Sequence, residues 1–147
     1  MIRVVLDANV LAPGFAYGRP SAATRLIDLW RQEVYELVLS EHLLQEFIRT
    51  YSDRYYRRFI TPEQVERFEF LLRRDAVMTE LIVPVLGVAT QPKDDLILST
   101  GISAGATYLA TRDRQLLKLG SYQGMKILHP ADLIDLLLQG RDPFEEP

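Results

Sequence analysis

Short apolar runs alternate with stretches of helical periodicity along most of the chain, and this alternation is the strongest constraint on its fold. The runs are rich in aliphatic and β-branched residues, a composition typical of strands that are buried on both faces. Strands that alternate with helices form a parallel sheet covered by those helices. The sequence therefore predicts an α/β fold, a three-layer α/β/α sandwich with a central, mainly parallel sheet. The predicted strands cover Arg3–Leu6, Glu36–Leu39, residues 81–85, Tyr108–Ala110 and residues 126–128.

Helix starts are indicated by capping residues that precede apolar side chains spaced three or four positions apart. Ser21 and Ser40 each precede such a stretch, and Thr61 begins another. A further helix is predicted to begin at Asp94 and to end before Gly105, because glycine readily adopts the positive φ that often follows a helix.

The length of 147 residues falls within the usual size of one domain. We expect a single domain over residues 1–140, followed by a flexible tail over residues 141–147. Two helices within residues 41–78 are interpreted as a helical-pair insertion in that domain. The segment after Leu11 is expected to be an irregular connection, and residues 133–138 are expected to form the last helix.

The overall composition excludes several classes of protein. Hydrophobic residues make up 48% and charged residues 25% of the chain, which is ordinary globular usage. No apolar run is long enough to span a bilayer, and the first ten residues lack a signal peptide's charged start and cleavage site. We therefore expect a cytoplasmic protein without a membrane partner. A net charge of -3 argues against wrapping nucleic acid by bulk charge, but it leaves local basic patches open.

The chain contains no cysteine, so it forms neither a disulfide nor a thiolate metal site. Any metal must be bound by oxygen ligands or by His42 and His129. Oxygen ligands favour hard cations such as Mg2+ or Mn2+. Neither histidine is assigned a role, because His42 is typical of an exposed helical residue and His129, beside Pro130, of a structural one.

Four acidic residues are placed where they could share one cleft. Asp7 and Asp113 directly follow predicted strands, Glu46 lies about one turn inside a helix, and Asp94 begins another. Each acid alone is more typical of a cap or a solvated residue. In open α/β sheets, however, ligands bind at the carboxyl ends of the strands. Clustered carboxylates repel one another, and a divalent metal would resolve that conflict and assist phosphodiester cleavage.

Four fragments together resemble the PIN-domain ribonucleases, and in particular the VapC-like toxins of toxin–antitoxin systems. Residues 4–11 (VVLDANVL) and 39–47 (LSEHLLQEF) are similar to the parts of the family that carry its first two acids. Residues 92–95 (PKDD) and 109–113 (LATRD) are similar to those that carry the third and fourth. The order and spacing of these fragments over most of the chain make a chance match improbable.

The resemblance implies an Mg2+- or Mn2+-dependent endoribonuclease that cleaves single-stranded RNA, with a cognate antitoxin and a second copy of the chain as partners. The implied metal-binding and catalytic acids are Asp7, Glu46, Asp94 and Asp113, and the implied polar supporters are Asn9, Ser40 and Thr111. The third acid has an alternative. Aligning the acidic pair with the family's pattern from Gly105 selects Asp94, whereas aligning it by counting back from Thr111 selects Asp95.

Residues 49–74 contain seven arginines interleaved with Tyr51, Tyr55, Tyr56 and Phe59. Such a composition can pair with phosphates and stack on bases. A solvated helical face, partly offset by neighbouring acids, is an equally good interpretation. The resemblance implies a third use, since in VapC-like proteins this region meets the antitoxin and a second protomer.

Two rival functions remain open at this point. A phosphotransfer protein of the haloacid-dehalogenase or receiver type also places an Asp after its first strand, but the second Asp of the former class and the late lysine of the latter are not evident. A catalytically silent PIN fold that acts as an RNA- or protein-binding regulatory module is the second rival. Metal binding without cleavage of any RNA would indicate that module.

Overall fold

The computed structural model describes residues 1–89 and 91–139. The predicted tail over residues 141–147 lies outside this range, and the extent of the single domain stays a prediction. None of the helices in the described ranges is long and apolar enough to cross a membrane.

Six strands and eight helices make up the described part of the chain. The strands are β1 Arg3–Leu6, β2 Glu36–Leu39, β3 Val77–Met78, β4 Tyr108–Ala110, β5 Ser121–Tyr122 and β6 Met125–Leu128. The helices are α1 Ala8–Ala16, α2 Ala22–Arg31, α3 Glu41–Thr50, α4 Arg54–Arg57, α5 Pro62–Asp75, α6 Pro92–Ser103, α7 Arg114–Leu119 and α8 Pro130–Gln139.

The strands form one sheet in the order β3-β2-β1-β4-β6-β5. Every neighbouring pair is parallel except β5 and β6, which form an antiparallel hairpin. Its turn residues Gln123 and Gly124 both have positive φ, as a two-residue hairpin turn requires. Helices flank the sheet, so the prediction of an α/β/α fold with a mainly parallel sheet is confirmed.

The core is built from the central strands and the inner faces of the helices. Val4, Val5 and Leu6 of β1 are fully buried, as are Leu109 and Ala110 of β4. A strand covered on both faces cannot place polar side chains until it ends. The first polar residues after β1 and β4 therefore emerge together at the carboxyl edge of the sheet.

The region interpreted as a helical pair contains α3, the short helix α4, and α5. Its last two residues, Val77 and Met78, form strand β3 beside β2. The strand predicted over residues 81–85 is wrong, because the backbone there bonds to side chains of α6 instead of to a strand. The N–H of Val83 donates to the Ser103 Oγ atom at 2.9 Å, and its carbonyl accepts from the Ser99 hydroxyl.

The expectation of an irregular connection after Leu11 is also wrong, because helix α1 continues to Ala16. Pro13 and Gly14, which favour a break in a helix, lie inside α1. Gly14 is buried where α1 packs against α2. The glycine therefore serves close helix packing and not a turn.

Replacement of Gly14 by alanine is expected to destabilise the protein by about 1–3 kcal/mol, the usual range for overpacking. An added Cβ atom would lie 2.7 Å from the Ile27 Cγ1 atom and 3.0 Å from the Ala23 carbonyl oxygen. Gly18→Ala is the matched control, since nothing lies within 4 Å of its Cβ position. Urea unfolding would measure both. Equal stability of the two variants would contradict the close approach of α1 and α2.

Candidate active site

The carboxyl ends of β1 and β4 meet where the sheet order reverses. The chain runs from β1 to β2 on one side and later returns to place β4 on the other side of β1. Leu6 is paired with Ala110, and the N–H of Asp7 donates to the Ala110 carbonyl at 3.0 Å. Asp7 and Thr111 therefore lie side by side at the point where α/β folds usually bind ligands.

The Asp7 carboxylate is held by neighbours on both strands. Its Oδ1 atom accepts from the N–H of Ala8 at 2.7 Å, and its Oδ2 atom accepts from the Thr111 hydroxyl at 2.8 Å. The Asn9 amide nitrogen lies 3.4 Å from both Asp7 Oδ2 and Thr111 Oγ1, and its Oδ1 atom accepts from the N–H of Arg112 at 3.1 Å. Asn9 and Thr111 thus fix the orientation of the acid.

A pocket of about 370 Å³ brings together all four acids predicted from the sequence. Two of them, Asp7 and Asp94, are buried, whereas Glu46 and Asp113 are partly exposed on its walls. The pocket is lined by Asp7, Ala8, Asn9, Glu46, Arg49, Thr50, Lys93, Asp94, Ile97 and Asp113.

Helix α3 places Glu46 at the pocket, and Ser40 fixes the start of that helix. The Ser40 hydroxyl accepts from the N–H of Leu43 at 3.3 Å and shares a 2.7 Å hydrogen bond with the Thr100 hydroxyl of α6. Ser40 is itself buried and is not among the pocket-lining residues. Ser40 therefore links α3, which carries Glu46, to α6, which carries Asp94.

Asp113 both caps a helix and lines the pocket. Its Oδ1 atom accepts from the N–H groups of Gln115 and Leu116 at 2.8 and 3.3 Å, which makes it the N-cap of α7. The N–H of Asp113 in turn donates to the Thr111 hydroxyl at 3.0 Å. The capping interpretation and the functional interpretation of this acid are therefore compatible.

The adjacent acids Asp94 and Asp95 have different surroundings. Asp95 is buried, and its carboxylate accepts from the N–H groups of Gly87, Val88 and Ala89 at 3.0, 3.1 and 2.7 Å. These bonds hold the loop that precedes α6. Asp94 lines the pocket instead.

Burial and mutual repulsion raise the pKa of two of the acids. Burial raises the pKa of Asp7 to about 6, although the hydrogen bonds from Thr111 and Ala8 oppose the rise and the charges of Asp94 and Glu46 add to it. Burial, followed by the charge of Asp113, also raises the pKa of Asp94. A bound cation would favour the ionised form of both groups.

The donor set of the pocket fits a hard divalent cation. Its four acidic side chains offer only oxygen atoms as metal ligands, and no histidine is among its lining residues. In the described part of the chain, no group of three or more His, Asp or Glu side chains is placed so that it could hold a metal ion. Mg2+ does not require such a group, because it usually keeps several waters and is bound by one or two protein carboxylates together with substrate phosphate.

Two cations, Arg49 and Lys93, line the pocket. Arg49 belongs to residues 49–74, for which phosphate binding was one interpretation, whereas no role was predicted for Lys93. Their positions in the sequence could have indicated that both lie at the site. Arg49 lies one helical turn after Glu46, and Lys93 directly precedes Asp94. His42 lies one helical turn before Glu46 in α3. Its buried Nε2 atom has no hydrogen-bond partner in the described structure and is 3.6 Å from Glu46 Oε1.

The comparisons with known proteins define the class. A family model described as PIN domain matches residues 3–115. The chain therefore belongs to the PIN-domain family, whose members are in general nucleases that use divalent metal ions. The resemblance to PIN domains inferred from the four acidic fragments is thereby confirmed.

Two solved structures are similar in fold. One is VapBC2 from Rickettsia felis bound to a DNA fragment from their promoter, with 14% sequence identity and a TM-score of 0.59. The other is FitAcB from Neisseria gonorrhoeae, with 15% identity and a TM-score of 0.52. Each match covers 87% of this chain and 98% of the other. No curated protein matches the chain.

Proposed function

We propose that this PIN-domain protein is a metal-dependent endoribonuclease that cleaves phosphodiester bonds in single-stranded RNA. One observation carries the proposal. Carboxylates from four separate segments of the chain, Asp7, Glu46, Asp94 and Asp113, line a single pocket together with Arg49 and Lys93. Acids that gather a cation, next to basic groups that attract a phosphate, suit a phosphodiester substrate.

The four carboxylates would hold Mg2+ or Mn2+. When bound, such an ion supplies Lewis-acid activation of the phosphate and a more acidic water. The chain's own contribution is orientation. Thr111 and the N–H of Ala8 fix both oxygens of Asp7, and the cap bonds of Asp113 fix one of its oxygens. Ligands that are already oriented lose little freedom when the ion and the RNA bind.

Arg49 and Lys93 would bind the scissile phosphate and its neighbour. Both line the pocket beside the acids, and the charge of Lys93 partly opposes the raised pKa of Asp94. Their positive charges offset the repulsion between an RNA strand and the carboxylates. The pocket thereby accommodates an anionic substrate in spite of its acids.

We also propose that the protein is the toxin of a toxin–antitoxin pair, with a cognate antitoxin and a second copy of itself as partners. The support is the similarity in fold to VapBC2 and FitAcB, which are toxin–antitoxin complexes. The proposed place of action is the cytoplasm, where such a toxin would meet both its RNA substrate and its antitoxin.

Incubation of the purified protein with a mixed single-stranded RNA tests the proposed activity. Cleavage is expected with Mg2+ or Mn2+ and is expected to stop with EDTA, because the carboxylates then lack their cation. Gel analysis of end-labelled RNA would locate internal cuts. Equal cleavage with and without EDTA would contradict the proposal. Metal binding without cleavage of any RNA would favour the silent regulatory module.

A further inference from the structure

Five of the seven arginines in residues 49–74 form two contrasting groups. Arg73 and Arg74 form ion pairs, Arg73 with Glu41 and Glu69, and Arg74 with Asp75. In contrast, Arg54, Arg57 and Arg58 are exposed and form no salt bridge within the part of the chain that the structure describes. These three arginines, on α4 and its C-cap, line a cavity of about 480 Å³. Carboxylates in the described residues thus pair directly with the first group but not with the second.

Exposed aromatic residues occur on the same short helix and directly after its C-cap. Tyr55 is 51% exposed and Phe59 is 43% exposed. Tyr17 stacks on Phe59 with 6.0 Å between ring centroids, and its hydroxyl hydrogen-bonds the Tyr55 hydroxyl at 2.9 Å. Arg19 and Arg58 lower the pKa of Tyr55, against the larger rise caused by the hydrogen bond to Tyr17. Exposed rings and unpaired guanidinium groups therefore alternate along the same short segment, residues 54–59.

The same surface continues toward the acidic pocket. Arg49 and Thr50 line that pocket from the last turn of α3, only a few residues before α4 begins. The Tyr51 hydroxyl between them donates to the Ala12 carbonyl of α1 at 2.6 Å, which fixes the connection. The backbone N–H of Arg112 donates to the Asn9 Oδ1 atom beside Asp7, and the Arg112 side chain is exposed.

An RNA strand is the occupant that this combination of groups favours. Unpaired guanidinium groups bind phosphates, and exposed rings stack on bases whatever their identity. An acidic segment of the proposed antitoxin would also pair with the arginines, but the exposed rings and the nearby pocket that would hold the scissile phosphate favour RNA. A strand whose scissile phosphate lies at Arg49 and Lys93 would continue over α4.

We propose that Arg54, Arg57 and Arg58, together with Tyr55 and Phe59, form a second RNA-binding subsite that holds the single strand away from the cleaved bond. The inference rests on the proposed ribonuclease function and adds to it. Phosphates bind the arginines, and one or two bases stack on the rings. The subsite gives affinity for longer RNA, whereas the acidic pocket performs the cleavage.

Binding of a labelled single-stranded RNA of ~20 nucleotides, measured by fluorescence anisotropy in EDTA, tests this subsite without any cleavage. The triple variant Arg54→Gln, Arg57→Gln, Arg58→Gln is expected to bind about tenfold more weakly or worse, and the slope of log K against log salt is expected to fall by about 2. The triple variant Arg25→Gln, Arg67→Gln, Lys118→Gln removes the same charge from other exposed positions and should bind like wild type.

The subsite proposal is wrong if the α4 variant binds as tightly as the control variant, or if wild type binds no RNA. In that case a protein partner becomes the better occupant of the patch. If wild type binds through these arginines but cleaves no RNA with Mg2+ or Mn2+, the ribonuclease proposal fails while the subsite stands. Tyr55→Leu with Phe59→Leu should weaken binding without changing the salt slope, because stacking involves no counterion release.

Discussion

Asp7→Asn is expected to abolish RNA cleavage and, without metal, to make the protein more stable. Both effects come from the burial of one carboxylate. Only 5% of Asp7 is exposed, and the pKa is raised to about 6. The ionised group is therefore unfavourable in the folded protein unless a cation is bound. Asparagine keeps the shape and an acceptor for the N–H of Ala8, but it removes the charge that a metal needs.

The sign of the stability effect follows from the direction of the pKa shift. The pKa of Asp7 rises from 3.8 to about 6 on folding, so the folded state holds the proton more tightly than the unfolded state. Metal-free wild type therefore loses stability as the pH rises from about 4 to above 6. Asparagine does not ionise and avoids this loss, which amounts to about 1–3 kcal/mol at neutral pH.

Urea unfolding in EDTA at pH 5 and pH 7.5 would measure this effect. The stability advantage of Asp7→Asn over wild type should be larger at pH 7.5, while cleavage with Mn2+ should fall by about 10³-fold or more. An advantage that is equal at both pH values would show that Asp7 ionises normally. Full cleavage by the variant would place the active site elsewhere.

Asp94→Asn and Asp95→Asn are expected to have opposite effects, although the two residues are adjacent. Asp94 lines the pocket, so its substitution should lower cleavage by at least about 100-fold and leave the fold intact. The Asp95 carboxylate accepts from three backbone N–H groups of the preceding loop. An amide in its place turns a donor toward the N–H of Gly87 or Ala89, which costs about 1–3 kcal/mol.

Thermal unfolding and cleavage of the same RNA would separate the two variants. Asp95→Asn should unfold at a lower temperature but still cleave at temperatures where it is folded. Asp94→Asn should keep its unfolding temperature but lose cleavage. Loss of cleavage in a stable Asp95→Asn protein would reassign the third acid to Asp95, the alternative that counting back from Thr111 selects.

The sequence predicted the bounds of β1, β2 and β4, which are buried on both faces, and it predicted β6 to within one residue although β6 is partly exposed. β1, β2 and β4 lie within continuous apolar runs with sharp polar ends, so burial and pattern agree. β3 has only two residues, Val77 and Met78, and its place depends on pairing with β2. No local pattern distinguishes it from the more apolar residues 81–85 that follow. Tertiary pairing therefore decided what local propensity could not.

Helix α1 was missed because its sequence contains the residues that usually end helices. Pro13 lacks the N–H for a bond to Asn9, and Gly14 has low helix propensity. Packing against α2 decides the outcome, since the space at Gly14 is occupied by Ile27 and Ala23. Such a contact between helices is not visible in a single sequence.

The acids of the candidate site could be predicted because their positions at strand ends and helix starts are local features. The choice between Asp94 and Asp95 could not, since it depends on which carboxylate turns toward the loop over residues 87–89. No role was predicted for Lys93, and none beside the acids for Arg49, because exposed cations are common on helices. Only the shared pocket distinguishes them from the ion-paired Arg73.

The most direct test of the central claim is the rate of cleavage of one single-stranded RNA as a function of Mn2+ concentration. For wild type the rate should rise from zero in EDTA and saturate as the ion fills the acidic pocket. Asp7→Asn and Asp94→Asn should stay near zero throughout, while Asp95→Asn should follow wild type at a temperature where it is folded. A rate that does not depend on Mn2+, or that persists in the Asp7 or Asp94 variants, would contradict a metal-dependent ribonuclease site formed by these carboxylates.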